Sequence, residues 1–400
     1  MSNIFESVPL APSDPILGIT EKFNADARPN KVNLGVGVYY DDHGKVPLLQ
    51  AIRQAEETLL KENSPRTYLP IDGLKAYDLG AQKLLLGANS KIITEKRAVT
   101  FQSLGGTGAL KVGADFLKTV TPDATVYVSN PTWANHHAIF ANAGFKVDTY
   151  PYYNPQTYSV DFEALTQFFK QLAPRSIVVL HACCHNPTGA EMTHAQWEVL
   201  ADIIKERELT PFLDIAYQGF GKGLDEDAYA VRLFAEKGIS ILVASSFSKS
   251  FSLYGERVGA LTITTQTADD AVRVQSQVKC NIRSNYSNPP IHGAAMVAKV
   301  LNNPELFALW ENELAQMRQR IHQTRVDLVA KLKALEVKRD FSFMVDQQGM
   351  FSFSGLTADQ VARLADEFGI YAVKSGRICM AALNSQNIDY VAKAIASVEA

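Results

Sequence analysis

The sequence predicts an α/β protein: a large domain whose mostly parallel sheet is sandwiched by helices, plus a smaller α+β domain. Three observations predict it. Apolar runs of strand length alternate with amphipathic helical stretches from about Thr100 to Thr265, the order that builds a parallel sheet covered on both faces. Polar turns follow several of those runs, where open α/β sheets place ligand sites. Beyond Pro304 the pattern changes to one long helical stretch, short extended segments and a final helix.

At 400 residues the chain can bury a large core and form more than one lobe. Its 46% hydrophobic and 20% charged residues place it among globular rather than disordered chains. A formal net charge of -3 gives no electrostatic reason to expect nucleic acid or an anionic membrane as partner. No apolar run is long enough to span a bilayer, and Met1-Ser2-Asn3-Ile4-Phe5-Glu6 lacks the features of a signal peptide. The cysteines, Cys183, Cys184, Cys280 and Cys379, read as reduced, which fits a cytoplasmic protein. Cys183 and Cys184 are expected to point to opposite sides of an extended chain. No metal site is expected, since His185 follows them without a second Cys/His cluster.

The first thirty residues hold Pro9, Pro12, Pro15 and Pro29 among few periodic apolar residues and read as an extended arm. Val32 to Tyr39 follows as a short extended segment, in which Gly37 either faces a substrate or marks a bulged strand. Helices are expected over Leu48–Leu60 and Leu74–Leu86, with Tyr68 in the loop between them as an ordinary packing residue. Ala98–Phe101 leads into Ser103-Leu104-Gly105-Gly106-Thr107-Gly108, which opens a helix to about Thr119. A glycine turn into a helix exposes N–H groups at the positive end of the dipole and suits a phosphate. It is no P-loop, because no lysine stands in the required place, and the dinucleotide fingerprint is incomplete.

Strand Thr125–Ser129 delivers Asn130-Pro131-Thr132-Trp133-Ala134-Asn135-His136, in which Trp133 is core filler or a stacking platform and His136 alone is as readily structural. Ser176–His181 is a buried strand ending at Cys183-Cys184-His185-Asn186-Pro187-Thr188-Gly189, where Asn186 offers an amide at a turn. Thr193 and Gln196 fit a capping box ahead of the apolar face Trp197, Leu200, Ala201 and Ile204. In Phe212-Leu213-Asp214-Ile215-Ala216-Tyr217, Asp214 either faces water from an edge strand or is buried beside a partner. The run Ile239–Ala244 reads as a strand, so Lys249 follows its carboxyl end among Ser246, Ser248 and Ser250, ahead of Arg257. Such a lysine suits imine formation beside an anion pocket, while a surface lysine in a polar loop fits the spacing equally. Val258–Thr264 is a further strand. Pro304–Leu332 is a helix with Leu306, Trp310, Leu314, Met317, Ile321 and Leu328 on one stripe. Gly349–Gly355, Ile370–Val373 and a helix through Ile388, Val391 and Ile395 complete a smaller lobe, which is expected to pack with the N-terminal segment.

Three stretches in order and at matching spacing, Cys183–Gly189, Asp214–Gly219 and Ser245–Gly259, resemble the signatures of the class I aminotransferases. Those enzymes depend on pyridoxal 5'-phosphate (PLP), and the match is to their aspartate and aromatic amino-acid branch. The resemblance runs from Pro15-Ile16-Leu17-Gly18 to Ser375-Gly376-Arg377. It implies the PLP-dependent transferase fold type I, with an N-terminal arm at 1–14, a discontinuous small domain at 15–46 and 316–400, and a large PLP-binding domain at 47–315. It also implies a homodimer with shared active sites, the arm crossing to the partner.

By the same resemblance Lys249 carries the cofactor as a Schiff base and, once freed, moves the α-proton as general acid and base. Asp214 pairs with the pyridinium nitrogen, with His136 behind it. Tyr217 and Asn186 hydrogen-bond the phenolic oxygen of the ring, and Trp133 stacks on its face. The phosphate falls to Gly106, Thr107, Ser246, Arg257 and Tyr68 of the partner subunit. Arg377 clamps the substrate α-carboxylate, although a surface arginine after a Ser-Gly turn fits the sequence alone. Arg283 crosses the interface to a side-chain carboxylate, and Gly37 and Phe351 complete the substrate-facing wall.

Arg283 implies dicarboxylate substrates, yet Gly221–Tyr229, Phe247–Tyr254 and Ala109–Phe116 are more similar to the bacterial tyrosine/aromatic branch. The expected activity is transamination of tyrosine, phenylalanine and aspartate with 2-oxoglutarate; the alternative is an aspartate aminotransferase with little aromatic activity. A PLP lyase or decarboxylase on the same fold would differ by forming no keto acid from the donor. A PLP-sensing module attached to a DNA-binding region is disfavoured, because no basic helix-turn-helix segment precedes the arm.

Overall fold

The computed structural model describes residues 3–11 and 17–400. The expected arm boundary at 14/15 and the start of the resemblance at Pro15-Ile16 lie outside the described residues. Residues 3–11 are exposed along their length, including Ile4, Phe5, Val8 and Leu10.

In chain order the strands are β1 (Val32–Asn33), β2 (Ala98–Leu104), β3 (Thr125–Asn130), β4 (Lys146–Pro151), β5 (Tyr153–Asn154), β6 (Ser159–Val160), β7 (Ile177–His181), β8 (Thr210–Ile215), β9 (Leu242–Ser246), β10 (Val258–Thr264), β11 (Phe351–Phe353), β12 (Ile370–Tyr371) and β13 (Arg377–Cys379). Seven of them form the central sheet in the order β2-β10-β9-β8-β7-β3-β4. β10 runs antiparallel to both its neighbours, and the other pairs are parallel. Successive residues serve opposite faces, the period of a pleated strand. Ile177, Val179, Phe212, Leu242, Ala244 and Leu261 enter one buried cluster; Val178, Leu180, Leu213, Val243 and Ala260 enter the other. Both faces are therefore covered, as the strand–helix alternation requires.

Outside the sheet, β1 pairs in parallel with β12, and β11 pairs antiparallel with β13. The first of these pairs ties the N-terminal segment to the C-terminal part. A 31-residue helix, Pro304–Ala334, runs between the two regions. Asn303 starts it by accepting from the N–H groups of Glu305 and Leu306, and proline takes the first helical position, where no N–H is needed. Trp310, Leu314, Met317, Ile321, Leu328 and Leu332 are its buried stripe. The capping box of Thr193 and Gln196 forms as expected.

Five readings need correction. The first thirty residues are not an extended arm throughout, because Leu17–Ala25 forms a helix. The strand before Lys249 spans Leu242–Ser246 rather than Ile239–Ala244, because the backbones of Ser245 and Ser246 continue the ladder with Ala260 and Gly259 despite their polar side chains. The extended segment at Val32–Tyr39 keeps only Val32–Asn33 as strand; beyond it Gly35 and Gly37 carry the chain closely under Ile19 and Phe351. Asp214 does not sit on an edge strand, since β8 is the middle strand of the sheet. Cys183 and Cys184 do not point apart: Cys184 lies at φ 52°, in the left-handed region, so the backbone turns there instead of extending.

Candidate active site

The carboxyl ends of β7, β8 and β9, the start of the helix Gly105–Val120 and the β13 edge surround one cavity of about 250 Å³. Lys249 enters it from the turn after β9. Phe247 and Phe251 anchor that turn in the core, Phe251 stacks on Trp310 at 4.2 Å, and Trp310 Nε1 donates to Ser250 O at 2.7 Å. The Lys249 amine lies 4.7 Å from the centre of the Tyr217 ring. Burial pushes it down to about 8; the Asp214 carboxylate opposes the shift and Arg257 adds to it.

Asp214 stands at the end of β8, level with His181 on β7. His136 Nε2 lies 3.1 Å from Asp214 Oδ2, and His136 Nδ1 lies 2.8 Å from Thr132 Oγ1. Burial works to raise the Asp214 carboxyl, but the hydrogen bond and charge of His136, with further help from Lys249, hold it below the ordinary carboxylate value. A buried carboxylate is thus kept anionic and aimed into the cavity. His181 presents two buried ring nitrogens that meet no hydrogen-bond partner among the described residues.

The helix Gly105–Val120 begins directly after β2, and no side chain among the described residues caps it. Its first N–H groups are left for an anion. Ser246 and Arg257 converge on the same place. A Cβ at Gly105, where φ is +68°, would stand 2.5 Å from Arg257 Nη2, and one at Gly106 would stand 3.1 Å from Ser246 Cβ. Glycine at position 105 is what admits the guanidinium. Helix dipole, N–H groups and guanidinium together make a cradle for a phosphate dianion.

Across the cavity, Arg377 is buried within β13. Its Nη1 donates to Asn186 Oδ1 at 3.0 Å and its Nη2 to Gly35 O at 2.6 Å, while Nε finds no partner among the described residues. The guanidinium lies 4.2 Å from the Phe351 ring centre, and Phe351 meets Tyr217 edge-on at 5.9 Å. Burial lowers the Arg377 value from an ordinary arginine's. Burial raises the Tyr217 phenol well above its ordinary value, so it is a hydrogen-bond donor. Gly37 and Trp133 close the wall.

The fold therefore brings together Gly37, Gly106, Thr107, Trp133, Asn186, Asp214, Tyr217, Ser246, Lys249, Arg257, Phe351 and Arg377, with His136 directly behind Asp214. It does not bring in Tyr68, which is 92% exposed, or Arg283, which is exposed and bonded to Ser287. The Tyr68 loop meets the turn that follows the helix Ala268–Asn285, which carries Arg283, where Asn288 Nδ2 donates to Leu69 O at 3.0 Å. Sequence reasoning missed Leu110, His181, Ala216, Ser248 and Tyr254 as cavity residues. Leu110 could have been found one helical turn beyond Gly106, and His181 as the last residue of a strand that ends at the site. For Tyr254 the sequence carries no comparable signal.

A family model described as "Aminotransferase class I and II" matches residues 29–395. The chain is 58% identical over 396 residues to an aspartate aminotransferase of Pseudomonas aeruginosa, covering 99% of this chain and 100% of the relative. It is 50% identical over 396 residues to an aromatic-amino-acid aminotransferase of Escherichia coli K12, again over 99% of this chain and 100% of the relative. The crystal structure of an aromatic-amino-acid aminotransferase from Burkholderia pseudomallei, covalently bound to pyridoxal phosphate, matches with a TM-score of 0.98 at 58% identity over 100% of both chains.

Proposed function

The chain belongs to the class I and II aminotransferases and is a PLP-dependent transaminase; from that premise we propose that it transfers the amino group of tyrosine, phenylalanine and aspartate to 2-oxoglutarate. The observation that carries this is the pairing of Lys249 with Arg377 across a cavity walled by Trp133, Tyr217, Phe351 and Leu110. An α-carboxylate clamp faces an amine, and the wall between them is aromatic and apolar enough to receive a ring. A specific observation also favours the narrower alternative, an aspartate aminotransferase: the Pseudomonas aeruginosa relative at 58% identity bears that name.

The residues fit PLP. Gly106, Thr107, Ser246 and Arg257 would hold its phosphate, Asp214 its pyridine nitrogen, Tyr217 and Asn186 its phenolic oxygen, and Lys249 its aldehyde carbon. When bound, PLP supplies an electron sink for the charge left at the substrate α-carbon. The chain supplies the rest. Arg377 fixes the α-carboxylate through its planar fork. The Lys249 amine, lowered to about 8 by burial, takes the α-proton and returns it on the other side of the transfer. His136 keeps Asp214 charged and oriented, Trp133 would stack on the ring, and Gly37 and Phe351 exclude water above the site.

We assign residues 15–46 and 316–400 to a small domain and 47–315 to the large one. The β1–β12 pairing and the bonds of Arg320 to Tyr39, Tyr40 and Leu383 support that division. The working unit is a homodimer with shared active sites, in which Tyr68 and Arg283 serve the neighbouring cavity. The contact between their segments, their exposure and the exposed apolar residues of the arm support this. We place the protein in the cytoplasm, a setting that suits four unpaired cysteines.

The test is single-turnover loss of the visible absorbance of the lysine-linked cofactor with tyrosine, phenylalanine and aspartate in parallel. Rapid loss with all three supports the broad reading, and rapid loss with aspartate alone selects the narrower one. A protein that develops no such band with PLP overturns the assignment of Lys249.

A further inference from the structure

The left-handed turn at Cys184 has a chemical result. The Sγ atoms of Cys183 and Cys184 and a carboxylate oxygen of Asp227 all lie within 4.8 Å of one another, and all three residues are buried. Tetrahedral coordination at about 2.3 Å to sulfur sets ligand atoms roughly 3.8 Å apart, so small side-chain movements close the set. Asp227 is already fixed in place: its Oδ2 accepts from the N–H groups of Gly219 and Gly221, and its Oδ1 from that of Lys222.

A small cavity of about 30 Å³ adjoins these groups, lined by Cys183, Asp227, Glu191 and Lys222 and by the half-exposed His194 and Glu226. It has room for one water or one ion. Glu191 accepts from the His185 N–H at 2.7 Å, and burial pushes its carboxyl up to about 8. Two thiols and the Asp227 carboxyl thus share one buried place with the part-buried Glu191 beside it, and the basic side chains at the cavity, Lys222 and His194, are exposed. Such a set favours a cation over its own ionised form without one.

We propose that Cys183, Cys184 and Asp227, with Glu191 beside them, bind one thiophilic divalent cation of the zinc or cadmium class, and that occupancy slows transamination. Binding releases two thiol protons to solvent, forms two metal–sulfur bonds and changes no oxidation state. Its route to the active site is short. Cys184 Sγ lies 3.8 Å from Tyr217 O, Asn186 is two residues further on, and a Cβ at Gly349 would stand 2.5 Å from Cys184 Cβ. Turning Cys184 toward a cation displaces the backbones that carry Tyr217 and Asn186.

The experiment uses the PLP-loaded protein with Cys280→Ser, because the exposed Cys280 would bind metal on its own account. Cadmium alone is added. One equivalent per chain is expected to give the ultraviolet sulfur-to-cadmium charge-transfer band and a several-fold slower transamination that a chelator restores. Adding Cys183→Ser, or separately Cys184→Ser, is expected to abolish both responses and to leave metal-free turnover intact. A missing band at one equivalent, or a band that survives in both double variants, overturns the site. A band with unchanged turnover overturns the coupling to Tyr217 and Asn186. The band is read without substrate, so its failure is separable from failure of the proposed activity; the slowing alone rests on that activity.

Discussion

His136 and Asp214 are joined inside the protein at 3.1 Å, and the second nitrogen of the imidazole is taken by Thr132 at 2.8 Å. With both nitrogens engaged, the ring cannot turn away from the carboxylate, and the carboxylate stays charged where burial would otherwise neutralise it. Asp214→Ala is therefore expected to slow α-proton exchange by roughly 10²-fold or more and to change substrate affinity far less. Deuterium exchange at the α-carbon and equilibrium binding of a substrate analogue measure the two separately. Equal losses in both would defeat the assignment.

Lys249 gives a pH dependence with a definite sign. Its amine titrates at about 8 in the folded protein, against about 10.4 for an exposed lysine. The rate at which PLP-free protein captures the cofactor is expected to rise with pH through about 8 and then level off. Stability follows the same difference. Between those two values the unfolded chain binds more protons than the folded one, so stability rises with pH. The cost of burying the charge is complete below about 8 and disappears as pH approaches about 10.4. Lys249→Met should remove that slope from denaturation curves of the PLP-free protein; an unchanged slope would place the titration elsewhere.

Arg377 holds Asn186 and Gly35 with two nitrogens of one planar group. Lysine cannot reproduce that fork. Arg377→Lys is expected to lower kcat/KM on the order of 10²-fold for tyrosine, phenylalanine and aspartate alike, the loss of about 2–3 kcal/mol of charged hydrogen bonding to a carboxylate all three share. Arg283→Ala should instead lower kcat/KM for aspartate and spare phenylalanine. A parallel loss for both donors in the Arg283 variant would remove Arg283 from the substrate site.

Gly37 admits Phe351: a Cβ at position 37 would stand 2.7 Å from Phe351 Cζ, and Phe351 is buried on its other sides. Gly37→Ala should cost about 1–3 kcal/mol by overpacking and lower kcat/KM, measured by thermal unfolding and steady-state rates. Adding Phe351→Leu should return part of the stability. A Gly37→Ala protein with unchanged unfolding would falsify the steric account.

Much of this was legible in the sequence for a physical reason. An aspartate inside an apolar run is costly without a partner, a glycine turn into a helix leaves N–H groups for an anion, and a lysine past a strand end stands where open α/β sheets place ligands. Thr193 and Gln196 were equally readable, since a capping box is local. What escaped detection depends on pairing across distance. The apolar pattern of Val258–Thr264 carries burial but no direction, so the antiparallel placement of β10 was invisible. Ser245 and Ser246 look like loop residues, yet their backbones extend a ladder. The positive φ at Cys184 accompanies a close approach to Gly349, distant in sequence, which no local pattern announces. Tyr68 and Arg283 stay outside the cavity of their own chain, which a family resemblance anticipates and local pattern does not.

The helix Pro304–Ala334 is long enough, at about 46 Å, to act as a lever. Near its start Trp310 holds Ser250 O, next to Lys249. Farther along, Arg320 grips Tyr39, Tyr40, Ala381 and Leu383, and Arg325 grips Gly349 and Phe351. With Trp310 as fulcrum, Arg320 and Arg325 lie about 15 and 22 Å away, so a tilt of about 3° sweeps them through roughly 1 Å. Because Arg320 holds Tyr39 and Tyr40 while Arg325 holds Phe351, both sides of the Gly37–Phe351 contact travel with that stretch as one body relative to Lys249. A stiff rod, gripped by tryptophan near its start and by two arginines beyond its middle, thus couples the Lys249 turn to the wall that carries Phe351.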